Sequence, residues 1–283
     1  VYVVGAALAA ATAAQAGHEP PLYPSYYPQE IRIEAVDPAT AARLLPEGKL
    51  HAYVGRAPDF AGPAPPSVRF VESLGSFLVV RLNPDRPAAK DAATACAAMA
   101  GVVANLAGNP GRFTLHPYPV NGFHADYLHH ADLAEAARAR VLGGSASPGK
   151  RMRIRADGNL AKMVGPDALG PGSDWDAAVE EIDRDALLAG HEFVINGTVG
   201  PPWLKSGWFH AYLLLASTLT DPAHRERAAA LAARLKGGSF ANPAERINAE
   251  RDLVRVLTAN CQGAVAAFAP KREYYTAEYS EGV

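Results

Sequence analysis

Cysteine is nearly absent from this chain: Cys96 and Cys261 are the only two in 283 residues. No CxxC pair occurs, so neither a covalent haem attachment nor a thioredoxin-like redox site is supported. The two cysteines leave two readings open. They pair across an oxidising compartment and join an early helix to a late one, or they are separate buried thiols in Ala-rich helices. A dominant charge is lacking as well. With 27 basic and 29 acidic residues and a net charge of −2, the chain has no global field to draw nucleic acid or an anionic membrane, and nucleic acid is set aside as a partner. The glycine-rich phosphate loops GxGxxG and GxxxxGK[ST] are missing, which argues against nucleotide chemistry. The serine-hydrolase elbow GxSxG, the HExxH zinc motif and any HxxxH pair are missing too. No internal repeat runs at a fixed period. Nothing here marks an enzyme, and binding is the favoured class.

What is present begins with residues 1–16 (VYVVGAALAAATAAQA), an uncharged run rich in small residues that closes on Ala14-Gln15-Ala16. That ending fits the small-x-small rule, and the run is read as the last part of a secretory signal peptide cleaved before Gly17. A membrane anchor needs about 20 apolar residues, whereas Thr12 and Gln15 interrupt this stretch. The protein is therefore expected outside the cytoplasm, periplasmic or secreted. Residues 18–30 (HEPPLYPSYYPQE) carry four prolines and three tyrosines, a composition that forbids a regular helix and predicts an extended, ordered arm.

The pattern along the chain predicts a mixed α/β fold, with mixed sheets, flanking helices and two lobes. Residues 31–36 alternate like a strand, Asp37 and Pro38 start a helix, and residues 50–54 form another strand. Together they predict a parallel strand, helix, strand unit. Further strands are expected at residues 68–71 and 76–82, paired around Gly75, and at 112–120, 151–155, 192–196 and 264–269. Helices are expected at 87–107, 127–142, 175–189, 209–218, 224–236 and 243–261. The run GGSASPG at residues 143–149 is the best boundary. It divides a first lobe at residues 17–145, carrying the arm, from a helix-rich second lobe at residues 150–283.

Three clusters carry polar chemistry. Four of the nine histidines, His116, His124, His129 and His130, fall within fifteen residues at a strand-to-helix junction. Asp126 stands i,i+3 from His129 and i,i+4 from His130, so a divalent metal, Zn or Cu, is one reading, with His124, Asp126, His129 and His130 as ligands. Helix capping and a metal-free ligand lining are the others. The second cluster, residues 200–212, gathers Trp203, Lys205, Trp208, His210 and Tyr212, which suit a small-molecule cleft or plain core packing. The third is the row Arg151, Arg153 and Arg155 on one strand face, an anion site or, preferably, a charged sheet edge that resists aggregation. The sequon Asn196-Gly197-Thr198 is short enough to be chance.

In its early strand, helix, strand unit (residues 31–54), its midpoint break and its size, the chain resembles the periplasmic solute-binding proteins of the type 2 class. The resemblance implies two lobes that close on a small polar or anionic solute, and a membrane transporter as partner. Tyr27, His51, Tyr53, His116, Tyr118, Trp203, Lys205 and His210 are the candidate solute contacts. Two alternatives compete: a metal-dependent hydrolase or metal carrier built on the histidine cluster, and an accessory subunit of a membrane redox or transport complex docked through the Pro/Tyr arm.

Overall fold

In a computed structural model the structure describes residues 31–55, 57–143, 152–165, 168–170, 174–191 and 200–277. The expected signal segment, the Pro/Tyr arm with Tyr27, most of the 143–149 boundary, Arg151, the strand at 192–196 and the sequon lie outside the described residues.

Two long antiparallel strands form the centre, β2 (Val68–Leu82) and β6 (Gly263–Thr276). Around them the order is β1 (Ala52–Tyr53), β6, β2, β5 (Ala177–Asp183) and β4 (Ile154–Arg155), with β3 (Thr114–Leu115) also on β6. The sheet is mixed: β4 runs parallel to β5, and the other pairings are antiparallel. Helices cover both faces. On one face Phe77, Val79 and Val265 pack with α6 (Gly207–Leu215), α7 (Pro222–Gly237) and α8 (Pro243–Thr258). On the other Leu78, Val80 and Ala266 pack with α2 (Ala92–Ala107) and with Met163 of α4 (Gly158–Val164). The alternation of Phe77, Leu78, Val79 and Val80 between two cores, all four buried, is the period of two that a central strand requires.

Local chemistry sets the helix starts. Asp37, Asp91, Asp221 and Asn242 each accept a backbone N–H from the first turn of α1 (Pro38–Leu44), α2, α7 and α8. Proline opens α1, α7 and α8, where its missing N–H costs nothing.

Several expectations need correction. Residues 31–37 are not a strand, and β1 pairs antiparallel with β6, so the parallel strand, helix, strand unit is absent, although its helix, α1, and a shortened second strand, β1, stand. The two strands expected around Gly75 are one strand. Gly75 sits at a bulge where an added Cβ would lie 2.9 Å from the Lys271 amide nitrogen. Opposite it, Pro270 passes through β6 beside that bulge, where a residue without an N–H is tolerated. Residues 175–189 are strand β5 followed by the short α5 (Arg184–Leu188), not one helix. The helix expected from residue 87 starts as a 3₁₀ turn, Pro87–Ala89, and restarts at α2. The one expected from residue 127 is a 3₁₀ turn, Tyr127–His129, followed by α3 (Ala131–Gly143). The strand expected at 112–120 shrinks to β3.

The sheet takes β1–β3 from before the 143–149 run and β4–β6 from after it. The division at residues 17–145 and 150–283 therefore does not follow the sheet. Cys96 and Cys261 form a disulfide, Cα–Cα 4.8 Å, that fastens α2 to the start of β6. This decides between the two readings of the cysteines.

Candidate functional site

Residues 121–130 fold as a tight series of turns between β3 and α3, and they press against residues 204–210 at the start of α6. The backbone joins the two segments, with the Ala125 N–H donating to the Lys205 carbonyl at 3.1 Å. Asp126 completes the junction. Its carboxylate accepts the Gly207 N–H at 2.6 Å and the Trp208 N–H at 3.1 Å, satisfying two of the free donors at the head of α6. A glycine is needed at 207 because a Cβ there would meet Val120 Cγ1 at 2.5 Å. The first and second polar clusters of the sequence thus converge.

Two histidines cross this junction as a hydrogen-bonded chain. The Asn121 N–H donates to His124 Nδ1 at 2.9 Å, and His124 Nε2 lies 2.9 Å from His210 Nδ1. His210 Nε2 lies 2.9 Å from the Leu204 carbonyl oxygen. That oxygen can only accept, so His210 Nε2 carries hydrogen and its Nδ1 is bare. His124 Nδ1 is bare for the same reason of complementarity, and its Nε2–H donates to His210. One neutral tautomer of each ring satisfies all four nitrogens. Phe77 stacks on His124 at 6.0 Å and meets His210 edge-on at 5.8 Å. Burial pushes His210 down to about 4. It also holds His124 well below the ordinary imidazole value, reinforced by the neighbouring His210. These rings have no lone pair left for an ion and no exposed edge for a solute. The expectations of His124 as a metal ligand and His210 as a solute contact are corrected on that ground.

Beside this pair lies a second, less satisfied group. His130 is fully buried. Its Nδ1 lies 2.9 Å from the Tyr118 hydroxyl, and its Nε2 has no hydrogen-bond partner. Asp126 Oδ2 stands 3.8 Å from that nitrogen. Glu250, fully buried on α8, faces the same point. Its Oε2 lies 3.1 Å from His129 Nδ1, and its Oε1 makes an ion pair with Arg246 at 3.3 Å but no hydrogen bond. Ligand atoms of Asp126, His130 and Glu250 all lie within 4.8 Å of one another. Burial lowers His130 to about 4, against the pull of Asp126, and burial raises Glu250. Burial also raises the Tyr118 phenol, so Tyr118 is a neutral hydrogen-bonding group. Glu250 escaped the sequence reading. Its signal was a carboxylate on the apolar face of α8, in the stripe of Ala249, Leu253, Val254 and Leu257.

The other candidates disperse. Tyr53 pairs with Tyr274 while Leu115, next to His116, pairs with Ala267. That separation along β6 is about 23 Å at about 3.3 Å per residue. His51 and Tyr53 therefore stand too far from His116 to share one small solute with it. His116 is half-buried, with Nε2 2.8 Å from the Val120 carbonyl oxygen. Tyr118 is buried against His130. Trp203 packs edge-on against Phe209 at 4.5 Å, with Lys236 over its ring, and Trp208 is core. The Lys205 side chain is exposed. Arg153 is tied to Asp174 and Asp176, and Arg155 lies over Trp175 at 4.5 Å and 3.5 Å from Glu180, as a charged edge strand would have it.

An open recess of about 470 Å³ lies where β5 runs on past the end of β4. Its walls include Asp157, Asn159 and Leu160 from the head of α4, and Glu180, Glu181 and Ile182 from β5. Arg81 at 3.3 Å and Arg155 at 3.5 Å bracket Glu180, and Arg112 holds Glu181.

The sequence matches no protein-family model and no curated protein. Solved structures do match. HbpA2 of Haemophilus parasuis superposes with a TM-score of 0.50 at 12% identity, over 85% of this chain and 52% of that one. The fold is similar to that of about half of HbpA2. Also similar are the ABC transporter-associated periplasmic binding protein DppA of Helicobacter pylori, in complex with the peptide STSA, and an ABC transporter substrate-binding protein of Sinorhizobium meliloti. DppA gives 13% identity, 85% and 51% coverage and a TM-score of 0.46. The second gives 15%, 85% and 56%, and 0.45. The chain spans about half the length of these three proteins. Among the described residues no helix is long and apolar enough to cross a membrane.

Proposed function

We propose that this chain captures a small polar solute outside the cytoplasm and delivers it to a membrane transporter. The observation that carries the reading is the fold, shared with HbpA2 over 85% of this chain and 52% of that one. Two features support it. The Cys96–Cys261 disulfide suits an oxidising compartment, in keeping with the signal-like residues 1–16. The recess beside β5 offers a volume of the size that small-molecule sites occupy.

The recess also bears on the solute. Asp157, Glu180 and Glu181 supply acceptors and Asn159 supplies both donors and acceptors, alongside the apolar Leu160 and Ile182. Arg81 and Arg155 balance Glu180 and Arg112 balances Glu181, which leaves Asp157 as the lining carboxylate without an ion pair among the described residues. A solute bearing an amine or several hydroxyls fits this lining better than an anion.

The test is a thermal-shift screen of the purified protein against amino acids, short peptides, polyamines, sugars and organic anions. A binder at 100 times its Kd adds about 2.7 kcal/mol and raises the melting temperature visibly. The expected hit carries an amine or polyol, and Glu180→Gln weakens it. No shift with any member of the panel would overturn the reading.

A further inference from the structure

We propose that Asp126, His130 and Glu250 form a binding site for one divalent transition-metal ion of the Zn²⁺ class, independent of the solute recess. The three side chains come from the turn before α3, the head of α3 and the middle of α8, and all are buried. Two of their polar atoms, His130 Nε2 and Glu250 Oε1, have no hydrogen-bond partner. A buried polar atom left unmade costs about 1–3 kcal/mol, more for a charged group. His130 Nε2, 3.8 Å from Asp126 Oδ2, and Glu250 Oε1, held by the Arg246 ion pair at 3.3 Å without a hydrogen bond, therefore require an explanation.

A shared cation supplies one. For three atoms no more than 4.8 Å apart there is a point within about 2.8 Å of all of them. Bonds of about 2.0–2.2 Å from Zn²⁺ to imidazole nitrogen and carboxylate oxygen are then reached by side-chain movements of under about 1 Å. One imidazole with two carboxylates is a donor set for Zn²⁺ and its neighbours rather than for Ca²⁺ or for thiolate-seeking copper. Three protein ligands leave the fourth tetrahedral position to water.

The surroundings have the form that metal ligands take. Tyr118 meets His130 Nδ1 at 2.9 Å, fixing the ring with Nε2 toward the carboxylates. His129 holds Glu250 Oε2 at 3.1 Å. The Gly207 and Trp208 N–H groups hold Asp126. His124 and His210 are excluded from the ligand set because the chain through Asn121 and Leu204 consumes all four of their nitrogens. An ion here would bind α8 to the α3 and α6 heads.

The experiment uses the purified full chain stripped with chelator, titrated calorimetrically with ZnSO₄, and in parallel with Co²⁺ followed by visible absorption. The expected result is one Zn²⁺ per chain, a tetrahedral cobalt spectrum and one imidazole ligand by X-ray absorption. Glu250→Gln, close in shape to the native side chain and checked for fold by circular dichroism, should weaken Zn²⁺ at least tenfold. Tyr118→Phe should weaken it about 10- to 100-fold as an outer-sphere partner. The proposal is overturned if the folded wild-type chain takes up no metal, if X-ray absorption shows two or more imidazoles, or if Glu250→Gln binds as the wild type does. None of these readouts requires the solute, so failure here and failure of the solute reading are separate results.

Discussion

Acid should unfold this protein earlier than its carboxylates alone would dictate, because imidazoles are buried neutral in the junction between the 121–130 turns and α6. His210 and His130 are each lowered from 6.5 to about 4, and His124 is lowered well below 6.5, all chiefly by burial. A depressed imidazole value means that the unfolded chain takes up protons below pH 6.5 while the folded chain does not. The stability these rings confer is complete above pH 6.5 and is lost as the pH falls toward 4. A shift of that size corresponds to about 3 kcal/mol for His210 and a similar amount for His130, at about 1.4 kcal/mol per pH unit for each ring. His124, lowered by burial and by the neighbouring His210, adds to this loss in the same sense. Glu250 works in the opposite sense: its raised value favours the folded state as the pH falls and offsets part of this loss. The loss approaches the whole stability of an ordinary domain, about 5–15 kcal/mol. Urea unfolding followed by tryptophan fluorescence at pH 7.5, 6.5, 5.5 and 4.5, with chelator present, measures it directly. His210→Gln should reduce the slope by about 1.4 kcal/mol per pH unit. A midpoint unchanged from pH 7.5 to 5, or a slope unaffected by His210→Gln, would refute the neutral histidine chain.

Three further outcomes are expected. Replacing Cys96 and Cys261 by alanine opens a closed loop of sequence separation 165 and should cost about 3–5 kcal/mol, read as a lower urea midpoint that reductant no longer changes. Gly75→Ala should cost about 1–3 kcal/mol, because its Cβ would lie 2.9 Å from the backbone nitrogen of Lys271 and the β2–β6 bulge must move. A melting temperature equal to the wild type would show that the bulge accommodates a methyl group. Asp126→Asn weakens the acceptor for the Gly207 and Trp208 amides and should cost about 1 kcal/mol, with amide exchange rising first at those two residues.

Features settled within a few residues of sequence were legible. Asp37-Pro38 announces α1, and the apolar patterns at 224–236 and 243–261 announce α7 and α8. Features decided by pairing were not. Residues 177–183 hold alanine, glutamate and aspartate, good helix company, yet they form β5 because Ala177, Ala178 and Val179 are buried beside β2. Gly75 resembled a turn and Pro270 a strand end, but each tolerates the other across a bulge that neither reveals alone. The histidine cluster was visible as composition, whereas its division into a satisfied pair and an unsatisfied partner depends on contacts spanning 86 residues, between His124 and His210, and 121 residues, between His129 and Glu250.

The most direct test of the solute-binding claim is native mass spectrometry of the disulfide-bonded protein, purified without dialysis, followed by analysis of what it releases on denaturation. The predicted result is one equivalent of a small amine- or hydroxyl-bearing molecule that is lost in Glu180→Gln and restored by adding it back. A folded protein that carries no small molecule, and binds none from a periplasmic extract, would contradict it.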